Sequence, residues 1–151
     1  VKNIIFSVLF ALLTTTVMAQ NEDFIKTNPA DFQWENRILI VIADQESDSL
    51  FNEQVSDFEG RENGFKDRDL ITFYVFRKGT SRLNEQPLDP VSAEEILEQY
   101  GSDLPDFRLL LIGKDGGVKL QKDSPVLVQD IFGLIDSMPM RQREMREKTG
   151  K

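Results

Sequence analysis

The sequence has no cysteine and no histidine among its 151 residues. The first absence removes disulfides, thiol peroxidases, CxxC reductases and cysteine proteases. The second removes Ser-His-Asp triads and HExxH zinc sites, and together they leave no His- or Cys-ligated zinc or haem. Tryptophan occurs once. Positive charge is also short. Lys and Arg number 18 against 26 Asp and Glu, for a formal charge of −8, so no nucleic-acid partner is expected. What is present, 40% hydrophobic and 29% charged residues, is enough for one domain with one core.

Residues 1–19 have the layout of a secretory signal peptide. Lys2 forms a short positive region, residues 4–13 are apolar except for Ser7, and Val17-Met18-Ala19 offers small residues where a signal peptidase reads. Cleavage is expected between Ala19 and Gln20, placing the protein in a periplasm or outside the cell. The apolar run falls short of the roughly 20 residues a membrane span needs, so membrane contact is expected only through the uncleaved signal peptide. Loss of Lys2 takes the charge from −8 to −9.

The rest alternates between strands and helices. Residues 20–30 are a polar lead-in, and Phe32 and Trp34 are expected to dock its end onto the domain. Arg37–Ala43 is an unbroken β-branched run, the pattern of a central strand covered on both faces. Phe51, Val55 and Phe58 form a helical stripe that Gly60 ends, and Gly64 marks a turn. Leu70–Phe76 is a second apolar strand. After a long polar connection over residues 78–90, Ser92 and Glu95 form a capping box for a helix carrying Ile96, Leu97 and Tyr100 and ending at Gly101. Phe107–Ile112 is a third strand. Lys114-Asp115-Gly116-Gly117 is a hairpin turn, and residues 118–121 return as a fourth strand. Ser124 and Pro125 open a last helix whose stripe is Leu127, Ile131, Leu134, Ile135 and Met138, with Pro139 as its stop. Residues 140–151 are charged and show no apolar face.

This order, β-α-β-α-β-β-α, predicts an α/β domain over residues 31–144 and a charged tail over 145–151. Its sheet is expected to be mixed and four-stranded, with helices on both faces and a parallel first pair of strands. Several strings also resemble a thioredoxin-like, peroxiredoxin-related family known mainly as a domain of unknown function. They are Trp34-Glu35-Asn36-Arg37, Arg68-Asp69, the run from Phe107 through Gly113-Lys114-Asp115-Gly116-Gly117 to Leu120, and Ile135-Asp136-Ser137-Met138-Pro139-Met140-Arg141. The resemblance covers residues 31–144. It implies a thioredoxin-like fold and kinship with exported bacterial proteins and with repeated domains of animal extracellular-matrix and sushi-repeat proteins. It carries over no catalytic residue.

In a thioredoxin fold the reactive cysteine follows the first strand, at a helix start. Here that loop is Asp44-Gln45-Glu46-Ser47-Asp48, and a serine without a base is a poor nucleophile. The plainer reading is a solvated, helix-capping loop. Its alternate acids hint at Ca²⁺, but the EF-hand pattern fails at Ser49 and Val55. Arg68 and Asp69 precede the second strand, where an ion pair and a turn cap are favoured over a ligand site. Pro105 precedes the third strand, where thioredoxin folds often carry a cis-proline. Met138, Met140 and Met145 could serve copper(I), though core packing explains them more simply.

The expectation is therefore an exported, non-redox binding module for an unknown protein or small ligand. Its candidate binding residues are Asp44, Glu46, Ser47, Asp48, Arg68, Asp69 and Pro105, with no catalytic residue, cofactor or metal assigned. The alternatives are a cysteine-independent enzyme using carboxylate and Arg side chains, and a weak metal-binding protein.

Overall fold

The computed structural model describes residues 23–103 and 106–150. The expected signal peptide and its cleavage point, together with Pro105, lie outside the described residues. One sheet organises the chain. It is built from β1 (Arg37–Ala43), β2 (Leu70–Phe76), β3 (Arg82–Leu83), β4 (Gln86–Pro87), β5 (Phe107–Ile112) and β6 (Val118–Lys122), in the order β4-β3-β2-β1-β5-β6. β1 pairs in parallel with β2, Arg37 opposite Leu70 and Ala43 opposite Phe76, and antiparallel with β5. All seven residues of β1 are buried, as its β-branched run requires.

The sheet has two cores. On one face, Leu39, Val41 and Ala43 pack with Phe51 and Phe58 of α1 (Ser49–Phe58) and with Val128, Ile131 and Ile135. On the other, Ile38, Ile40 and Ile42 pack with Ala93 and Ile96 of the following long helix, so helices cover both faces.

Four local expectations change. The sheet has six strands, not four, because the polar connection after β2 folds into the short hairpin β3–β4. Its two-residue strands are too brief to show an alternating pattern. The turn expected at Gly64 is a short helix, α2 (Glu62–Asp67). It is held by tertiary contact: Phe65 lies edge-on to Phe58 and Phe132, and a Cβ at Gly64 would come within 2.5 Å of the Phe132 ring. The next helix, α3 (Pro90–Tyr100), starts earlier than Ser92. Asp89 is its cap, accepting from the N–H groups of Val91 and Ser92 at 3.1 Å, while buried Ser92 accepts from the N–H of Thr27. α4 (Val128–Ser137) starts later than Ser124. Its first N–H donates to the carboxylate of Asp57 on α1, a cap from a distant element that no local pattern reveals.

The charged tail is also helical, as α5 (Pro139–Thr149). It lacks an apolar stripe and docks through charge. Arg141 is buried, donating from Nη1 to the carbonyl of Asp67 at 2.7 Å, from Nη2 to the Asp67 carboxylate and from Nε to Asp136 at 3.1 Å. Pro139 thus ends one helix and begins the next, as its fixed φ and missing N–H allow.

Candidate functional site

The loop after β1 is closed on itself. Asp48, the residue before α1, accepts from the N–H groups of Asp44 and Gln45 at 3.0 and 3.1 Å. Lys78 donates to the Asp44 carboxylate at 2.7 Å, a bond that raises the lysine pKa. Arg82 donates to Glu46 at 2.6 Å, with its guanidinium 4.5 Å from the Tyr74 ring centre. Ser47 is exposed and lies one residue ahead of the cap. A cleft of about 500 Å³ beside the loop is lined by Asp44, Asp48, Ser49, Leu50, Arg77 and Asp106. Among the described residues no group of three or more Asp or Glu is placed to hold a metal ion.

Arg68 and Asp69 lie at the opposite end of the sheet. β1 and β2 run in parallel, so the start of β2 is six residues from the loop end, about 20 Å along the strands. The structure therefore separates Arg68 and Asp69 from Asp44, Glu46, Ser47 and Asp48. Arg68 bonds Asp136 at 2.5 Å and lies 4.2 Å from the Phe132 ring centre. Asp69 takes a left-handed backbone, φ +47°, and accepts from Lys114 at 2.8 Å. Arg68 is thus held in an ion pair, as the plainer reading expected, whereas the Asp69 carboxylate meets a hairpin lysine instead of capping the turn.

The strings that carried the family resemblance meet at this end. Arg37 is buried and donates to both carboxylate oxygens of Glu144 at 3.1 Å and to the carbonyl of Arg68 at 2.9 Å. Lys114 of the hairpin reaches Glu144 at 3.0 Å as well as Asp69. Burial opposes ionisation of Glu144, yet hydrogen bonds from Arg37 and Lys114 outweigh it and hold its carboxyl below the usual range. A bond from Lys148, with help from Arg141, does the same for Asp67 against the opposing effect of burial. The network ties β1, α2, the hairpin, α4 and α5 together.

Trp34 departs from the expectation. Phe32 does dock, edge-on to Phe73 at 6.1 Å, but Trp34 remains 64% exposed. Its φ is +71°, and its N–H donates to the carbonyl of Lys114 at 2.6 Å. For a bulky side chain that conformation is a true outlier.

A concavity opens beside this pole. A groove of about 560 Å³ runs along the outer edge of β2 between α1, α2 and the β3–β4 hairpin. Val55, Phe58, Phe65, Leu70 and Tyr74 make its floor, and Glu59, Glu62, Lys66 and Glu85 stand on its rim. β3 pairs only with Phe73 and Tyr74, so the hairpin leaves the start of β2 open. Asn84 finishes the edge: its side chain accepts from the Thr72 N–H at 3.0 Å and its own N–H donates to the Thr72 carbonyl at 2.7 Å. Asn84 and Asp69, two of the three non-glycine residues with positive φ among the described residues, both line the groove. Backbone strain of this kind collects at functional sites. Sequence reasoning missed the groove because Phe51, Val55 and Phe58 read as one buried stripe. Phe51 is buried while Val55 is only partly so and lines the groove.

Solved structures share the architecture. A reduced 2-Cys peroxiredoxin of Plasmodium vivax matches with a TM-score of 0.57 at 14% identity, over 78% of this chain and 85% of that one. A thioredoxin peroxidase I of Plasmodium yoelii matches with a TM-score of 0.53 at 16% identity, over 82% and 81%. These likenesses establish a thioredoxin-like fold, with the β2-β1-β5-β6 segment as its sheet core. A family model covers residues 28–144, more than three quarters of the sequence, and the chain belongs to that family, the Domain of unknown function (DUF4174).

Proposed function

We propose that this protein is an exported, non-redox thioredoxin-like domain that works by binding, and that its recognition surface is the groove beside β2. Export rests on the signal-peptide layout of residues 1–19, and the absence of thiol chemistry rests on the absence of cysteine. The observation that carries the reading is the contrast between the two ends of the sheet. Where the fold ordinarily keeps its thiol, the carboxylates of Asp44, Glu46 and Asp48 are bonded to neighbours. At the other end a 560 Å³ groove with an apolar floor lies open, in the size range of ligand sites. The loop carboxylates are committed to structure, which leaves the enzyme alternative no free acid or base at the position where the fold ordinarily keeps its reactive group. The metal-binding alternative draws no support from the carboxylates, since no group of three or more Asp or Glu among the described residues is placed to hold a metal ion.

The test is site-specific photocrosslinking in the native envelope. A photoreactive residue at Glu62, on the groove rim, is expected to capture a discrete partner, and the same residue at Glu46 is not. Capture from Glu46 alone would return the site to the loop after β1 and overturn the groove.

A further inference from the structure

We propose that the occupant of the groove is a peptide segment of another protein in which apolar side chains are flanked by Lys or Arg. This rests on the groove being the binding surface. The shape favours a peptide. The floor follows β2 from Leu70 to Tyr74, a run of about 13 Å, which matches four to five residues of extended chain. The groove is also open along the strand edge, where a segment can be laid in from the side.

The rim sets the charge of the occupant. Glu59 and Glu62 stand on the helical wall and Glu85 on the hairpin wall. None of the three has an ion pair among the described residues; Glu62 accepts only a backbone bond, from the N–H of Gly60 at 3.2 Å. Their carboxylates are thus available to cations on an occupant, unlike those of Glu46 and Glu144, which Arg82 and Arg37 hold. Glu85 acts on the floor: burial raises the Tyr74 pKa, the charge of Arg82 opposes that rise, and the charge of Glu85 adds to it. Lys66 is the rim's cation, and Asp69 is already neutralised by Lys114. An apolar slot between two acidic walls selects an apolar core with cationic flanks, and it repels an acidic or phosphorylated segment.

The experiment uses three labelled synthetic peptides with the residue-20–151 protein and fluorescence anisotropy. The first alternates Leu and Val with Lys, the second replaces Lys with Gln, and the third replaces Leu and Val with Ser. The first is expected to bind at least about tenfold more tightly than either other, and to weaken as salt rises. Glu59→Lys combined with Glu85→Lys is expected to weaken it by about tenfold or more. The same two-charge reversal on α3, Glu95→Lys with Glu98→Lys, should leave binding within about twofold, since α3 covers the other face. Equal weakening by both pairs would mean general charge attraction and would overturn the proposal. A Gln peptide that binds as well as the Lys peptide and crosslinks from position 62 would overturn the charge preference and keep the groove. No crosslink from position 62 with any peptide would remove both.

Discussion

Arg37 and Glu144 stand 107 positions apart in the chain and meet in a two-bond ion pair, each bond 3.1 Å long. Arg37 opens the central strand and is 1% exposed, and Glu144 sits midway along α5. A helix with no apolar stripe is thus fixed to the sheet by a buried cation. Desolvating an arginine is costly, and the cost is offset only if its donors are satisfied. Here Glu144 and the carbonyl of Arg68 take that role.

Removing one member of this pair should be worse than removing both. Glu144→Gln leaves Arg37 buried with a weakened acceptor and is expected to cost roughly 3 kcal/mol. Combining it with Arg37→Met removes the stranded charge and should recover a large part of that loss. Urea midpoints of the two variants and of Arg37→Met alone provide the double-mutant cycle. Additive losses would show that the two residues do not act as a pair.

Acid should loosen α5. The Glu144 and Asp67 carboxyls are both held below their unfolded values, which are about 4.3 and 3.9 for ordinary Glu and Asp. A lowered folded pKa gives stability that is complete above the unfolded value and is lost as pH falls through the folded one. Hydrogen bonds from Arg108 lower Asp123 and Asp103 in the same direction. The melting temperature is therefore expected to stay flat near neutrality and to fall below about pH 4. The gap between wild type and Glu144→Gln should narrow over the same interval. A gap that stays constant down to low pH would show that Glu144 stabilises without its charge.

How far the sequence revealed this structure depends on the range of the forces involved. Arg37–Ala43, Leu70–Phe76 and Phe107–Ile112 were legible because an unbroken apolar run has few other ways to be buried, and the Asp115-Gly116 turn was legible because Gly116 takes φ +81°. What stayed hidden was held by distant partners. Asp57 caps α4 from α1, Phe65 fastens α2 by ring contacts, and Arg141 buries itself against Asp67 and Asp136. The candidate site was only half legible. An ion pair for Arg68 was legible, but its partner Asp136 and the Lys114 partner of Asp69 are distant in sequence, and grouping both residues with Asp44–Asp48 ignored that parallel strands put the two loops at opposite ends. The exposed Trp34 had no sequence signal, since its position depends on a left-handed backbone bonded to Lys114.

The purified protein should show no peroxidase or disulfide-reductase turnover. Beyond residue 19 its only sulfur is in Met138, Met140 and Met145, so peroxide consumption should stop at three equivalents or fewer per chain. Placing a thiol by Ser47→Cys should not change this. The start of α1 favours a thiolate, but Ser47 lies outside the cap and is flanked by Glu46 and Asp48, which oppose it. The thiol pKa, read from thiolate absorbance against pH, is expected at or above the free value of about 8.5. A clearly lower value would show that the helix end dominates the loop. Steady peroxide turnover by the unmodified protein, free of metal and contaminants, would overturn the non-redox reading.

The backbone at Trp34 offers a test that side-chain contacts do not confuse. Trp34→Ala and Trp34→Gly both delete the ring, so whatever the ring contributes cancels in their comparison. They differ in the cost of φ +71° and in the freedom of the unfolded chain. The left-handed conformation costs an L-residue about 1–2 kcal/mol, and glycine is spared it. Glycine's looser unfolded state costs about 0.4–1 kcal/mol relative to alanine. The difference predicts that Trp34→Gly is the more stable of the two, by roughly 0.5–1 kcal/mol. At an ordinary right-handed position the order reverses. Gln99, exposed within α3, serves as the reference, where Ala should exceed Gly by about 1 kcal/mol. Thermal and urea unfolding of the four variants give the two differences. If Ala exceeds Gly at both positions, the backbone at residue 34 is not left-handed, and its bond to Lys114 falls with it.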